Sequence, residues 1–143
     1  MKTCTFFGHR DCPDTVKPRL REVLVQIIER DGVDRFYVGH QGAFDAIVLS
    51  VLRELARLYP QIQYDIVLAY MPQEKSDFDT EMEPHTLLPE GIETAPKRFA
   101  IDRRNRWMLQ QSDYVVTYVR YSWGGATKFA DEAKRLGKHI VEI

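Results

Sequence analysis

A chain of 143 residues is long enough to bury a full hydrophobic core without disulfides or a structural metal. With 44% hydrophobic and 29% charged residues it has a globular composition, which excludes a disordered chain, and no apolar run approaches the roughly 20 residues of a membrane-spanning helix. Twenty Lys and Arg against 21 Asp and Glu leave a net charge of -1, which argues against a surface built for generic nucleic-acid binding.

The first strand is expected over Thr3–Phe7, with Gly8, His9 and Arg10 following at its carboxyl end. Met1 and Lys2 lead directly into it rather than into a signal peptide, so the expectation is a cytoplasmic protein with no membrane partner. Leu20, Val23, Leu24, Ile27 and Ile28 recur at helical spacing, with Pro18 tolerated in the first turn and Gly32 placed to stop the helix. A second strand over Arg35–Gly39 ends in a glycine-bearing turn. It leads to Asp45 and a helix whose apolar positions run from Ile47 through Leu55 to Leu58. A third strand is expected over Tyr64–Tyr70. From Pro72 to Pro96 there is little regular pattern, and the charges are nearly all acidic (Glu74, Asp77, Asp79, Glu81, Glu83, Glu90 and Glu93 against Lys75), which reads as a long functional loop, either a lid or a mobile segment.

Regular structure resumes with a helix over Lys97–Gln111. Ala100, Ile101, Trp107 and Met108 form its apolar face, and Arg104 and Asn105 lie near the same stripe. Arg is seldom buried without a partner, so Arg104 and Asn105 either reach an inner carboxylate or point into a ligand cleft. The β-branched and aromatic run Asp113–Val119 reads as a strand buried on both faces. It is followed by a turn with paired glycines, Gly124 and Gly125, and by a helix with Phe129, Ala130, Ala133 and Leu136 inward; His139–Ile143 is the last strand. Cys4 and Cys12 lack a CxxC spacing, and the four histidines lack a ligand spacing, so neither a disulfide framework nor a metal or other cofactor is implied.

Five strands alternating with four helical patterns predict an α/β, Rossmann-like, doubly wound parallel sheet in the order 3-2-1-4-5, with helices on both faces. In such sheets a crevice forms where the strand order reverses, here between the first and fourth strands. The loops meeting there carry the candidate ligand-binding residues: Gly8, His9 and Arg10; Gly39, Gly42 and Asp45; and Arg120, Ser122, Gly124, Gly125, Ala126 and Thr127, with Arg104 and Asn105 from the preceding helix. Glycine lets backbone N–H groups approach a phosphate, and a new helix adds unpaired donors and the positive end of its dipole. The N–H groups of Gly124, Gly125 and Ala126 and the Thr127 hydroxyl are therefore read as a phosphate cradle, with Arg10 as its counter-charge. Asp45 either accepts ribose hydroxyls or complements its helix dipole. His9 is either a donor to the ligand or a loop imidazole. Tyr121 and Trp123 either stack on a base or pack against the acidic loop.

The stretches Thr5–Arg10, Gly39–Asp45, Arg104–Met108 with Ser112 and Asp113, and Trp123–Thr127 together resemble the YpsA-like branch of the SLOG superfamily. That superfamily also includes the lonely-guy cytokinin-activating phosphoribohydrolases and the DprA-type DNA-processing proteins. The resemblance implies a single Rossmann-like domain over 1–143 that binds a nucleotide or nucleotide-derived ligand. Lonely-guy enzymes use a Pro-Gly-Gly-x-Gly-Thr-x-x-Glu pattern. This chain is similar at Gly124, Gly125 and Thr127, but lacks the proline and third glycine and has Ala130 in the glutamate's place. The first reading is thus a protein that binds or senses a phosphorylated nucleotide derivative. The alternatives are an enzyme acting at an N-glycosidic or phosphoribosyl bond, with Asp45, Asp131 or a loop carboxylate as base or nucleophile, and a protein-interaction regulator with a vestigial pocket. Expected partners are the small molecule, a second copy in a homodimer, or a regulated protein.

Overall fold

The alternation of side chains along the central strand β1 (Lys2–Gly8) divides the core in two. Cys4 and Phe6 face one side with Phe36, Val116 and Tyr118, covered by α1 (Lys17–Asp31) and α2 (Gly42–Leu58). Phe7 and Val115 face the other side. There they meet Met108 and Leu109 of α3 (Lys97–Gln111) and Phe129 and Ala133 of α4 (Gly125–Arg135). The structure is a computed structural model and describes residues 1–70, 86–92 and 96–143.

The remaining strands are β2 (Val33–Val38), β3 (Gln63–Val67), β4 (Thr86–Leu87), β5 (Tyr114–Tyr118) and β6 (His139–Glu142). Among the described residues they form one sheet in the order β4-β3-β2-β1-β5-β6, and every pairing is parallel. Parallel neighbours require crossovers, which the helices supply on both faces. The chain steps outward from β1 through β2 to β3, and then returns to the opposite side of β1 at β5.

Among the described residues the sheet has six strands rather than the five that periodicity predicts. The addition is the edge strand β4, which pairs Thr86 with Ile66 and Leu87 with Val67 inside the stretch read as a loop. Two residues carry no alternation to detect; the strand exists because β3 offers an edge, and the Leu68 N–H extends the pairing by donating to the Leu87 carbonyl at 2.8 Å. The expected lid, with Glu74, Asp77, Asp79, Glu81, Glu83 and Glu93, lies outside the described residues. Two positions assigned to inner helix faces, Leu58 and Leu136, are exposed. Each lies at the end of its helix, Leu58 as the last residue of α2 and Leu136 as the C-cap of α4, and helical spacing alone does not reveal how far a partner surface extends. Among the described residues no helix is long and apolar enough to cross a membrane.

Candidate functional site

Because α1 leaves β1 towards one face and α4 leaves β5 towards the other, the backbone parts at the carboxyl ends of these two strands. A cleft of about 470 Å³ opens there. His9, Arg10 and Asp11 line it from the loop after β1, Gln41 and Asp45 from the start of α2, Ile101, Arg104, Asn105 and Met108 from α3, and Tyr121 to Ala126, Ser122 excepted, from the turn after β5.

The base of the cleft is charged. Asp45 sits in the first turn of α2, half-buried, and its carboxylate accepts the Gln41 N–H at 3.0 Å. Burial pushes this carboxyl up to about 6, against the pull of the Gln41 N–H, Arg104 and Arg10. Arg104 is only 2% exposed. Its Nη1 donates to the Val67 carbonyl at 3.2 Å, and its Nε donates to Asn105 Oδ1 at 2.9 Å. Gly39 lies against both groups: a Cβ built there would stand 2.8 Å from Asp45 Oδ2 and 3.0 Å from Arg104 Cζ. Of the two alternatives read from the sequence, Arg104 lines the cleft, while its hydrogen-bond partners are the Val67 carbonyl and the Asn105 amide oxygen rather than a carboxylate, Asp45 acting on it through charge alone. Asn105 holds the guanidinium in place.

The upper walls are held by close backbone approaches. A Cβ on Gly8 would fall 2.2 Å from Phe44 Cδ2, so glycine there lets α2 pack directly on the end of β1. Gly42 has a φ of 87°, a left-handed conformation that favours glycine, and a Cβ on it would lie 2.7 Å from the Arg10 Cα. Ala43 N–H then donates to the Arg10 carbonyl at 2.8 Å, which fastens the first loop to the N-terminus of α2. The Arg10 side chain is exposed, and no carboxylate among the described residues forms an ion pair with it.

His9 is buried and joins the loops after β1 and β5. Its Nε2 accepts the Arg120 N–H at 2.8 Å, so the proton of the neutral ring is on Nδ1. Burial lowers its pKa, with Asp11 opposing and Arg120 reinforcing the shift. The ring packs 4.4 Å from that of Tyr121, whose hydroxyl donates to Asp11 at 2.7 Å. Tyr121 in turn stacks on Trp123, with centroids 5.0 Å apart and planes 9° apart.

Several residues of the candidate set make contacts within the protein or lie outside the lining of the cleft. The Thr127 hydroxyl lies 2.8 and 3.0 Å from the Tyr121 and Trp123 carbonyls and donates within the turn, which it braces from outside the cleft. Arg120 lies over the Tyr118 ring at 4.3 Å and borders a separate hollow with Asp131 and Lys134. Ser122 is exposed outside the cleft, and Gly39 and Gly42 shape it without lining it. Among the residues that sequence reading missed, Ile101 and Met108 were detectable, since they stand three before and four after Arg104 on one helical stripe. Asp11 and Gln41 had no such signal; adjacency in the folded loops places them.

The fold and the cleft define a class, the Rossmann-like parallel α/β domain with a cavity at its switch point. No protein-family model and no curated protein matches the sequence.

Proposed function

We propose that the cleft binds a nucleotide or nucleotide-derived phosphorylated ligand, as the resemblance to the SLOG superfamily implies. The phosphate would sit at the N-terminus of α4, and Arg10 would supply charge-assisted hydrogen bonds. The observation that carries this reading is Gly125. Its backbone is not left-handed, and a Cβ built on it meets nothing within 4 Å among the described residues, so neither conformation nor packing among those residues calls for glycine at this position of the cleft wall. What its bare backbone provides is access to the first N–H groups of the helix. The cavity volume falls within the range of small-molecule sites.

Binding or sensing is favoured over turnover by α4 itself. Ala130, in the place of the lonely-guy glutamate, is buried, and with Asp131 it borders the separate hollow rather than the cleft. One observation supports the second reading, an enzyme acting at an N-glycosidic bond: Asp45 lines the cleft with a carboxyl near 6, suited to proton transfer close to neutrality.

The test is mass spectrometry of small molecules released from gently purified wild-type protein and from Gly125→Trp, chosen to block the turn at a position where a Cβ meets nothing within 4 Å among the described residues. A nucleotide derivative released by the wild type and lost in the variant is the expected result. A wild type that carries no such compound, and that no nucleotide stabilises against heat, would overturn the proposal. Turnover of the identified compound, compared between wild type and Asp45→Asn, then separates enzyme from sensor.

A further inference from the structure

We infer that the stacked pair Tyr121 and Trp123 is a shelf for the planar ring of the ligand, and that Trp123 makes the site select phosphates bearing an aromatic base over phosphates without one. The inference rests on the nucleotide reading of the cleft and deepens it by assigning the base and the residue that discriminates for it.

Trp123 is 69% exposed, an unusual state for so large an apolar side chain. The turn that carries it is nevertheless well fastened. The Thr127 hydroxyl holds the carbonyls of both Tyr121 and Trp123, Asp11 holds the Tyr121 hydroxyl, and the Tyr121 ring rests on His9, which is itself fixed by the Arg120 N–H. Tyr121 covers one face of the indole in a near-parallel stack, and among the described residues no other ring packs on Trp123. An apolar plane already stacked on a fastened neighbour in the wall of a cavity loses less side-chain freedom when a second plane docks on it than an unstacked one would.

The chemistry of the neighbours narrows the occupant. Trp123 directly precedes Gly124 and Gly125, so a ring on the indole and a phosphate on the helix N-terminus would belong to adjacent parts of one molecule. Arg10 and Arg104 line the same cleft and offer positive charge to a phosphate, while the Asp11 carboxylate beside the shelf is engaged by the Tyr121 hydroxyl. Every nucleobase has a π-face, so the shelf distinguishes a base from no base while tolerating different bases.

The test is calorimetric titration of wild type, Trp123→Ala and Trp123→Phe with AMP, GMP, CMP, UMP and ribose 5-phosphate. Exposure of Trp123 means that neither substitution opens the core. Trp123→Ala is expected to weaken the nucleotides by roughly ten-fold or more and ribose 5-phosphate by less than about two-fold, while Trp123→Phe retains most of the affinity. In a Trp107→Phe background, which leaves Trp123 as the only tryptophan, AMP is expected to quench the indole fluorescence and ribose 5-phosphate to leave it unchanged. If Trp123→Ala binds nucleotides as tightly as wild type, or loses ribose 5-phosphate equally, the shelf is overturned and the cleft reading stands. If wild type binds none of the five compounds, releases no nucleotide derivative and is stabilised against heat by no nucleotide, the cleft reading fails and the shelf fails with it.

Discussion

A carboxyl that titrates near 6 at the base of a cleft makes folding depend on pH. Unfolded, Asp45 loses its proton near the ordinary 3.8; folded, near 6. Between these values the folded protein holds more protons, so the contribution of Asp45 is fully present below the lower value and is lost as pH rises through the upper one. Relative to Asp45→Asn, the wild type should therefore lose on the order of 2 to 3 kcal/mol of stability between pH 4 and pH 7. Urea denaturation of both proteins across that range measures it, and a constant difference would return Asp45 to an ordinary carboxylate. A second residue-scale prediction concerns Gly8. Phe44, fully buried and stacked on Tyr118, has no space to retreat from a methyl group at that position. Gly8→Ala should cost about 1 to 3 kcal/mol by overpacking. A variant as stable as wild type would show that α2 can lift from the end of β1.

At the scale of elements, α3 is the helix whose inner stripe is not apolar. Ala100, Arg104 and Met108 are all buried, and Arg104 fastens the helix to the carboxyl end of β3 through the Val67 carbonyl. Losing the guanidinium leaves that carbonyl without this donor and Asp45 with Arg10 as its remaining positive neighbour. Arg104→Met should destabilise the protein by about 3 kcal/mol at pH 8, where Asp45 is ionised, and by less at pH 5, where it is protonated. A double-mutant cycle with Asp45→Asn at both pH values tests this through the coupling energy. Equal coupling at the two values would show that Arg104 acts through packing rather than charge. The helix itself was legible in the sequence to its end residues, and so was the anomaly of an arginine on its inner stripe. What the arginine meets was not, because its partners come from β3 and α2, far along the chain.

For the whole molecule, the order of the strands sets a hierarchy of stability. β1 is paired on both sides, between β2 and β5, and covered on both faces, whereas β4 and β6 are the edges of the sheet. Native-state hydrogen exchange should find the slowest amides in β1 and β5 and markedly faster ones in β6. If β6 exchanged as slowly as β1, its edge would be covered in solution, which is the outcome a homodimer built on that edge would produce.

Periodicity determined the alternation of strand and helix, and with the right-handed crossover rule it led to a reversal of strand order beside β1. The glycine turns then marked which loops would meet, since each of the loops at that reversal carries one. Local chemistry is written in local residues, and this much could be read directly. Only tertiary structure decided how the loops divide their work. Thr127, read as a phosphate ligand, turns its hydroxyl towards two carbonyls of its own turn; His9, read as either a donor to the ligand or a loop imidazole, accepts the Arg120 N–H through Nε2 and keeps a proton on Nδ1; and Asp45 and Arg104 converge on Gly39 from different helices. Such partnerships depend on angles and distances between elements far apart in sequence, and those arise only when both faces of the sheet are packed.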